Sequence, residues 1–386
     1  WERWAATSAF GDLDLDGDLD LYVTCYADVP ATGPTPVCTE NGVRIHCHPH
    51  YYEAVPDILL ENRGDGTFTD RSNAWGIADE VEYGLGVIIA DLIQGGVPEI
   101  FVANDGDRNL LFQRNSNGRY EDVASRCGIA FNGNGQSMGS MGIACADFDG
   151  NGEFDILTTN FTGERNVLFS NLSNGVFVDQ SAGSRIDKTS RTSVGWGAVP
   201  LDADNDTWID LFIANGNVTG MATVPYRQEP LMYHGLPDGR FEQACTNDPY
   251  FQTPWHARGA FLVDLAGDAR PDIVVSHVDD SPRILKNESA VHGNWLFLNL
   301  IGVAANRDAA ATTVIATLGS RKVVRQTIQS AGYLSTSAKV LHFGLGNCAA
   351  IEVLEIRWPG GNVQTLHNVP ANVHLDVIEG RSVYRY

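Results

Sequence analysis

Residues Asp12 to Asp20 read "DLDLDGDLD", five carboxylates in nine residues, with Gly17 at the sixth position. An apolar run, "LYVTCY", follows at once. Oxygen donors at alternate positions of a tight loop, completed by a backbone carbonyl, form the ligand set of a hard divalent cation. Here the first, third, fifth and ninth positions are Asp12, Asp14, Asp16 and Asp20, and Asp18 supplies the carbonyl from the seventh. The register recurs in Asp147, Asp149, Asn151 and Asp155, with Gly152 sixth and the carbonyl of Glu153. It recurs again in Asp202, Asp204, Asp206 and Asp210, with the carbonyl of Trp208. Calcium accepts about six to eight oxygens in flexible geometry, whereas magnesium demands a strict octahedron, so calcium is the expected ion. An EF-hand needs a bidentate Glu at the twelfth position; Val23, Thr158 and Ile213 stand there instead. The plain alternative, a solvated acidic turn, does not account for three loops in one register.

The loops belong to a longer repeat. Five segments align, "SAFGDLDLDGDLDLYVTCY" from Ser8, "LGVIIADLIQGGVPEIFVAND" from Leu85, "MGIACADFDGNGEFDILTTNF" from Met141, "WGAVPLDADNDTWIDLFIANG" from Trp196 and "RGAFLVDLAGDARPDIVVSHV" from Arg258. Their leading aspartates, Asp12, Asp91, Asp147, Asp202 and Asp264, are spaced 79, 56, 55 and 62 residues apart. The first interval is long because residues 27–56 read as an inserted loop. Each copy runs on into a short apolar run, an Asn-Gly or Asp-Gly turn and an aromatic, as in "NVLFSNLSNGVF", which is a strong hairpin signal. Four short strands per repeat predict an all-β fold, a β-propeller with five blades in this chain. The fifth copy stops after "PRILKNES", without its last hairpin strand. Two copies have decayed loops. The second offers Ile93 and Gly95 between Asp91 and Glu99, so no ion is expected; the fifth keeps Asp264, Asp268 and Asp272 around Ala266, which leaves a fourth ion open. From Asn294 the runs change character ("NWLFLNLIGV", "KVVRQTIQS", "IEVLEIRW"), predicting a propeller over residues 1–290 and a small β-sandwich-like domain over 291–386.

The totals agree. With 48 acidic against 26 basic residues the net charge is −22, which repels nucleic acid and anionic membranes. No apolar run approaches the roughly 18 residues of a membrane span. Three divalent ions would carry +6 against that charge, and a fully oxygen-ligated ion with no open position is a structural clip rather than a catalytic centre. Extracellular calcium modules bind at about 10⁻⁴–10⁻³ M, which suits an exported protein. Seven cysteines leave at least one without an intrachain partner; Cys38 and Cys47, in an irregular segment, are the first choice for a disulfide. The chain opens at Trp1 inside an apparent repeat, as a processed or truncated product would. No HExxH, phosphate loop or dinucleotide fingerprint is present and no catalytic residue is assigned. A nucleophile elbow is expected to be absent as well.

On "FGDLDLDGDLDLYV", "CADFDGNGEFDILTTNFTGERNVLFSN", "SAGYLS", "LHFGLG" and "IEVLEIRWPGGNVQTLHNVPAN", the chain resembles the FG-GAP/VCBS-repeat propellers joined to an ASPIC/UnbV domain, the cartilage acidic protein family and its bacterial relatives. The resemblance implies cation binding at the three intact loops and a seven-bladed ring of which five blades are present. It also implies a protein of the cell surface, periplasm or extracellular matrix that acts as an interaction or scaffold module, with or without a larger complex around it. The first inserted loop departs from the family's Cys-Gly-Pro and reads "RIHCHPHYY". His46, His48 and His50 alternate and would share one face of an extended segment, a candidate zinc or copper site of a redox or metal accessory. A carbohydrate-active propeller is a third reading. Asp105, Arg165, and the Trp255, His256 and Arg258 group read as loop architecture before binding surface.

Overall fold

The computed structural model describes residues 3–29, 36–40, 42–93, 95–218, 224–290, 293–381 and 384–385. Four sheets of four antiparallel strands follow one another along the chain. Blade one is Ala5–Gly11, Asp20–Cys25, Ile58–Asn62 and Phe68–Asp70; blade two is Gly84–Ala90, Glu99–Asn104, Leu110–Arg114 and Tyr120–Asp122. Blade three is Ile143–Ala146, Asp155–Thr158, Val167–Asn171 and Phe177–Asp179; blade four is Gly195–Leu201, Asp210–Asn215, Leu231–Gly235 and Phe241–Gln243. A fifth sheet has three strands, Ala257–Val263, Asp272–His277 and Arg283–Leu285. The four-strand period and the curtailed fifth repeat are thus as the turns predicted. Each acidic loop joins the first strand of a blade to the second.

Hydrophobic clusters fill the spaces between neighbouring blades. Tyr22, Leu59 and Ile89 meet Phe112 between blades one and two. Phe101, Ile143 and Phe169 lie between two and three, Leu157, Leu211 and Tyr233 between three and four, and Phe212, Ile273 and Val275 between four and five. Each fully buried side chain of this size contributes about 1.5–3 kcal/mol. The first strands also meet backbone to backbone, which is why four of the five segments carry a glycine five residues before the aspartate, Thr7 standing there in the first. A Cβ on Gly86 would lie 2.5 Å from the carbonyl oxygen of Met141, and one on Gly197 would lie 2.7 Å from the amide of Ala260. A Cβ on Gly142 would overlap the carbonyl of Trp196. On Gly259 of blade five the opposing group is the carbonyl of Tyr333, 3.0 Å away. Tyr333 lies far along the chain, so a segment from beyond the repeats stands where a further blade's first strand would.

That segment connects two more sheets. Leu341–Gly346, Asn294–Ile301, Val373–Ile378 and Tyr384–Arg385 form one, with a parallel pair between the second and third, and Arg321–Gln326, Thr313–Leu318, Ala350–Arg357 and Val363–Pro370 form the other. They enclose a common core of Leu296, Leu298, Val314, Phe343, Leu354, Ile356 and Trp358. Residues 291 and 292, where the second domain was expected to begin, lie outside the described residues. Residues 330–338 cross the first strands of the blades: Ser330 Oγ donates to Val87 O (2.8 Å), Gly332 pairs with Ile143, Ser335 Oγ donates to Ala260 O (2.9 Å) and Ala338 N donates to Leu262 O (3.2 Å). The inserted loop forms a hairpin, Cys38–Glu40 with Val43–Ile45, closed by the Cys38–Cys47 disulfide.

Substituting Gly142 by Ala should lower the denaturant midpoint by the equivalent of about 1–3 kcal/mol or more, because backbone cannot yield to a methyl as a flexible side chain would. Gly95→Ala, where the methyl meets open space, should leave the midpoint unchanged.

Candidate metal centre

The three intact loops share one hydrogen-bond pattern. The amide of the fifth residue donates to Oδ1 of the third (Asp16 to Asp14, 3.2 Å; Asn151 to Asp149, 3.1 Å; Asp206 to Asp204, 3.3 Å). The amide of the seventh donates to Oδ1 of the fifth (Asp18 to Asp16, 3.0 Å; Glu153 to Asn151, 2.7 Å; Trp208 to Asp206, 2.8 Å). These turns fold the side chains back over the loop. Carboxylate oxygens of Asp12, Asp14 and Asp16, of Asp147, Asp149 and Asp155, and of Asp202, Asp204 and Asp206 come within 4.8 Å of one another. The arrangement can hold a metal ion.

The ninth residue has a structural duty as well. Asp20 accepts the amides of Leu13 (3.0 Å) and Asn62 (2.9 Å), Asp155 those of Phe148 and Asn171, and Asp210 those of Ala203 and Gly235. Asp272 of blade five does the same with Leu265 and Asn287. This carboxylate staples the loop to the third strand whether or not the loop is intact, and the spacing of the sequence does not distinguish that duty from ligation.

The first residue separates the loops into two kinds. In the decayed loops both oxygens of the leading aspartate are occupied by the loop's own amides: Asp91 accepts from Gly95 and Gly96, and Asp264 from Asp268 and Ala269. In the intact loops one oxygen, Oδ1 of Asp12, Asp147 and Asp202, is buried with no hydrogen-bond partner, on residues only 3%, 7% and 1% exposed. A buried carboxylate oxygen left unpaired costs several kcal/mol unless a positive charge answers it. The donor chemistry and the orphaned oxygens fit a divalent cation. Without one, burial raises Asp12 and Asp147 to about 6, Asp20 to about 7 and Asp202 to about 8, and holds Asp155 well above its ordinary range.

The loops are covered by the carboxyl-terminal sheets, which sequence reasoning did not foresee. Gly17 faces the carbonyl of Ala304, and Asp91 N donates to Gln326 Oε1 (3.0 Å). Gly360 N donates to Gly96 O (3.3 Å), and Gly346 N to Asn205 O (2.9 Å). Arg321 lies 3.2 Å over the Trp208 ring and donates to Thr207 O. Arg325 is buried beside Asp147 and Asp202 and lowers the pKa of both. Its Nε and Nη1 donate to the carbonyls of His342 and Val324, and Nη2 has no partner.

The histidine loop differs from the extended segment expected. Pro49–Tyr51 is a turn of 3₁₀ helix, which brings the His48 and His50 rings edge to face at 4.6 Å and sets His50 Nε2 3.3 Å from Asp107 Oδ2. Among the described residues no cluster of three close metal donors includes His46, His48 or His50. Asp105 accepts from Tyr26 Oη (2.6 Å), Arg165 pairs with Asp179, and His256 Nε2 lies 2.8 Å from Arg258 Nη2, so these act within the loop architecture. A GxSxG string, Gly135 to Gly139 ("GQSMG"), does occur in the sequence. It lies in an irregular loop with Ser137 exposed and leads to a strand rather than a helix, so it makes no nucleophile elbow.

Two family models match the chain, "FG-GAP-like repeat" over residues 95–158 and "ASPIC and UnbV" over residues 302–383. Two stretches of this all-β chain are thus similar to known families, one to the FG-GAP-like repeat and one to the ASPIC and UnbV segment. Among individual proteins it is similar to cartilage acidic protein 1 of Xenopus tropicalis, 27% identical over 297 residues, 73% of this chain and 42% of that protein. The Homo sapiens protein of the same name is 24% identical over 344 residues, 85% of this chain and 50% of that one. The chain thus spans about half the length of these relatives. The solved Dos1 propeller is similar at 10% identity and a TM-score of 0.35, with 95% of this chain and 78% of that chain covered.

The raised carboxyl pKa values set a pH dependence. Each folded value lies above the ordinary 3.8, so the cation-free fold binds more protons than the unfolded chain. That contribution is complete below the ordinary value and is lost as pH rises through about 6 to 8. In chelator the melting temperature should fall between about pH 5 and pH 8, and saturating calcium should abolish the fall.

Proposed function

We propose that the protein is an exported, calcium-stabilised β-propeller that serves as an interaction or scaffold module for a protein or matrix partner. The observation that carries the reading is the orphaned Oδ1 of Asp12, Asp147 and Asp202, found in the intact loops and replaced by paired oxygens in the decayed ones. The ligands of each ion would be the carboxylates or amide oxygen of the first, third, fifth and ninth residues with the seventh carbonyl: Asp12, Asp14, Asp16, Asp20 and Asp18; Asp147, Asp149, Asn151, Asp155 and Glu153; Asp202, Asp204, Asp206, Asp210 and Trp208. At free calcium about ten times Kd each site adds about 1.4 kcal/mol by mass action, a condition that about 1 mM calcium meets for a site at the tight end of the extracellular range, with a Kd of about 10⁻⁴ M. Export and partner class are also supported by the similarity to cartilage acidic protein 1 and by the Cys38–Cys47 disulfide, which suits an oxidising compartment. No helix among the described residues is long and apolar enough to cross a membrane.

The division at residue 290 is part of the proposal: residues 1–290 build the blades, and residues 291–386 form a second unit seated on the calcium loops. Because that unit covers the loop face, the surface left for a partner is the opposite rim. There the disulfide-closed hairpin and the edge between blades four and five stand, with Arg227 holding Asp279 and Asp280.

Calorimetric titration of chelator-treated protein should find three calcium ions per chain, with a rise in melting temperature on saturation. Asp147→Asn and Asp202→Asn should each remove one ion. Absence of binding at millimolar calcium would overturn the reading.

A further inference from the structure

The penultimate residue of the third strand in blades one to four, Glu61, Gln113, Ser170 and His234, and Lys286 just past that strand in blade five, hold one position beside the acidic loop. The placement follows from the staple just described, since the next residue gives its amide to the ninth carboxylate in blades one, three, four and five. Gln113 Nε2 accordingly donates to Glu99 (3.4 Å), and Ser170 Oγ to Asp149 Oδ2 (2.9 Å). In blade four the group at that position is an imidazole. His234 Nδ1 lies 2.9 Å from Asp210 Oδ1 and Nε2 lies 3.8 Å from Asp206 Oδ2. A nitrogen of His234 and oxygens of Asp204 and Asp210 fall within 4.8 Å of one another, a cluster that shares Asp204 with the oxygen-only set of Asp202, Asp204 and Asp206 and adds an imidazole to it.

Calcium takes oxygen ligands, and imidazole adds little to its binding. First-row divalent ions of the zinc class favour imidazole, accept carboxylate oxygen beside it, and bind nitrogen and oxygen at about 2.0–2.2 Å. Two ligands at such distances in a tetrahedron stand about 3.3 Å apart, so the His234–Asp210 approach needs only a small opening. The loop's deficit is independent of the histidine: Asp202, 1% exposed, keeps its Oδ1 unpaired, and its carboxylate clusters within 4.8 Å of Asp204, the residue common to both sets. His234 is 37% exposed at its side chain, which leaves an ion a path of entry and room for a water ligand.

We propose that the blade-four loop is a mixed nitrogen–oxygen site for a divalent first-row transition ion of the zinc class, ligated by His234, Asp204 and Asp210. It rests on the reading of the acidic loops as cation sites, and it assigns one of them a different ion.

The test uses the full chain, treated with chelator and returned to millimolar calcium. Zinc is then titrated by calorimetry, and cobalt is used as a spectroscopic substitute. One zinc per chain should bind despite the calcium, and affinity should fall at least tenfold in His234→Ala and in His234→Gln. The His48→Ala/His50→Ala double variant should bind zinc like the unaltered protein. Cobalt should give visible bands that vanish in His234→Ala. Zinc binding unchanged by His234→Ala would overturn the assignment, as would calcium filling three loops with no zinc bound. If calcium binds nowhere while zinc binding still depends on His234, the calcium reading fails and this one stands. If neither ion binds, both fall.

Discussion

The structure depends on how buried carboxylates of like charge are answered. Every blade begins its first turn with an aspartate and ends it with a second carboxylate; the second is buried in all five blades, the first in blades one, three and four. Desolvation favours their neutral forms, which is why Asp202 and Asp20 sit at about 8 and 7. The ninth residue is answered by two amides that the blade itself supplies. The first residue is answered locally only in blades two and five. In blades one, three and four the fold leaves an oxygen facing inward and unpaired, and the missing charge has to come from outside the loop.

One such charge comes from far along the chain. Arg325, buried beside Asp147 and Asp202, lowers both of their pKa values while its own guanidinium is pushed the same way by burial. The sheets that carry it close over the loops of blades one to four, and residues 330–338 run on across the first strands until Tyr333 stands against Gly259. Neighbouring blades are also tied at this level: Asn171 Nδ2 donates to Leu92 O and Asn287 Nδ2 to Ala203 O, each reaching the second residue of the preceding blade's loop (2.9 Å). The acidic loops therefore sit where three packing problems meet: strand to strand, blade to blade, and propeller to terminal sheets. A charge error there is felt by all three.

Much of this was legible in the sequence because it is local. The period of 55 to 62 residues, the hairpin turns, the short fifth repeat and the Cys38–Cys47 pair all follow from spacing and turn chemistry. Turn-forming glycines such as Gly17 (φ 97°) and Gly152 (φ 92°) marked the loops directly. What was not legible depends on partners hundreds of residues away. Nothing near Asp91 announces that Gln326 will bond it, and nothing near Asp202 announces Arg325. The double duty of Asp20, Asp155 and Asp210 was hidden for another reason, since a staple and a ligand share one residue type at one position. His234 was readable in principle: the aligned repeats place it in register with Glu61, Gln113, Ser170 and Lys286, and an imidazole among those is an anomaly of type. The histidines of the inserted loop drew attention by their alternation, but a 3₁₀ turn at Pro49 breaks the geometry that alternation presumes.

The decayed loops bear on what the ions are for. Blade two answers Asp91 with the amides of Gly95 and Gly96, and blade five answers Asp264 with those of Asp268 and Ala269. Both loops still join paired first and second strands. A loop that could hold an ion is therefore not a general requirement for a blade to fold; a cation would be one of two ways to answer the leading aspartate. Backbone dipoles do so permanently, and only where the loop's amides can turn toward the aspartate. A bound cation does so conditionally, and leaves the loop free to present a row of carboxylates at the junction with the terminal sheets. The loops left open to the conditional solution are those of blades one, three and four, and at the last two Arg325 arrives without a full set of partners of its own. Cation occupancy there would set the charge against which a buried guanidinium is held, so the seating of the terminal sheets on the propeller would be governed by the same ions that complete the loops.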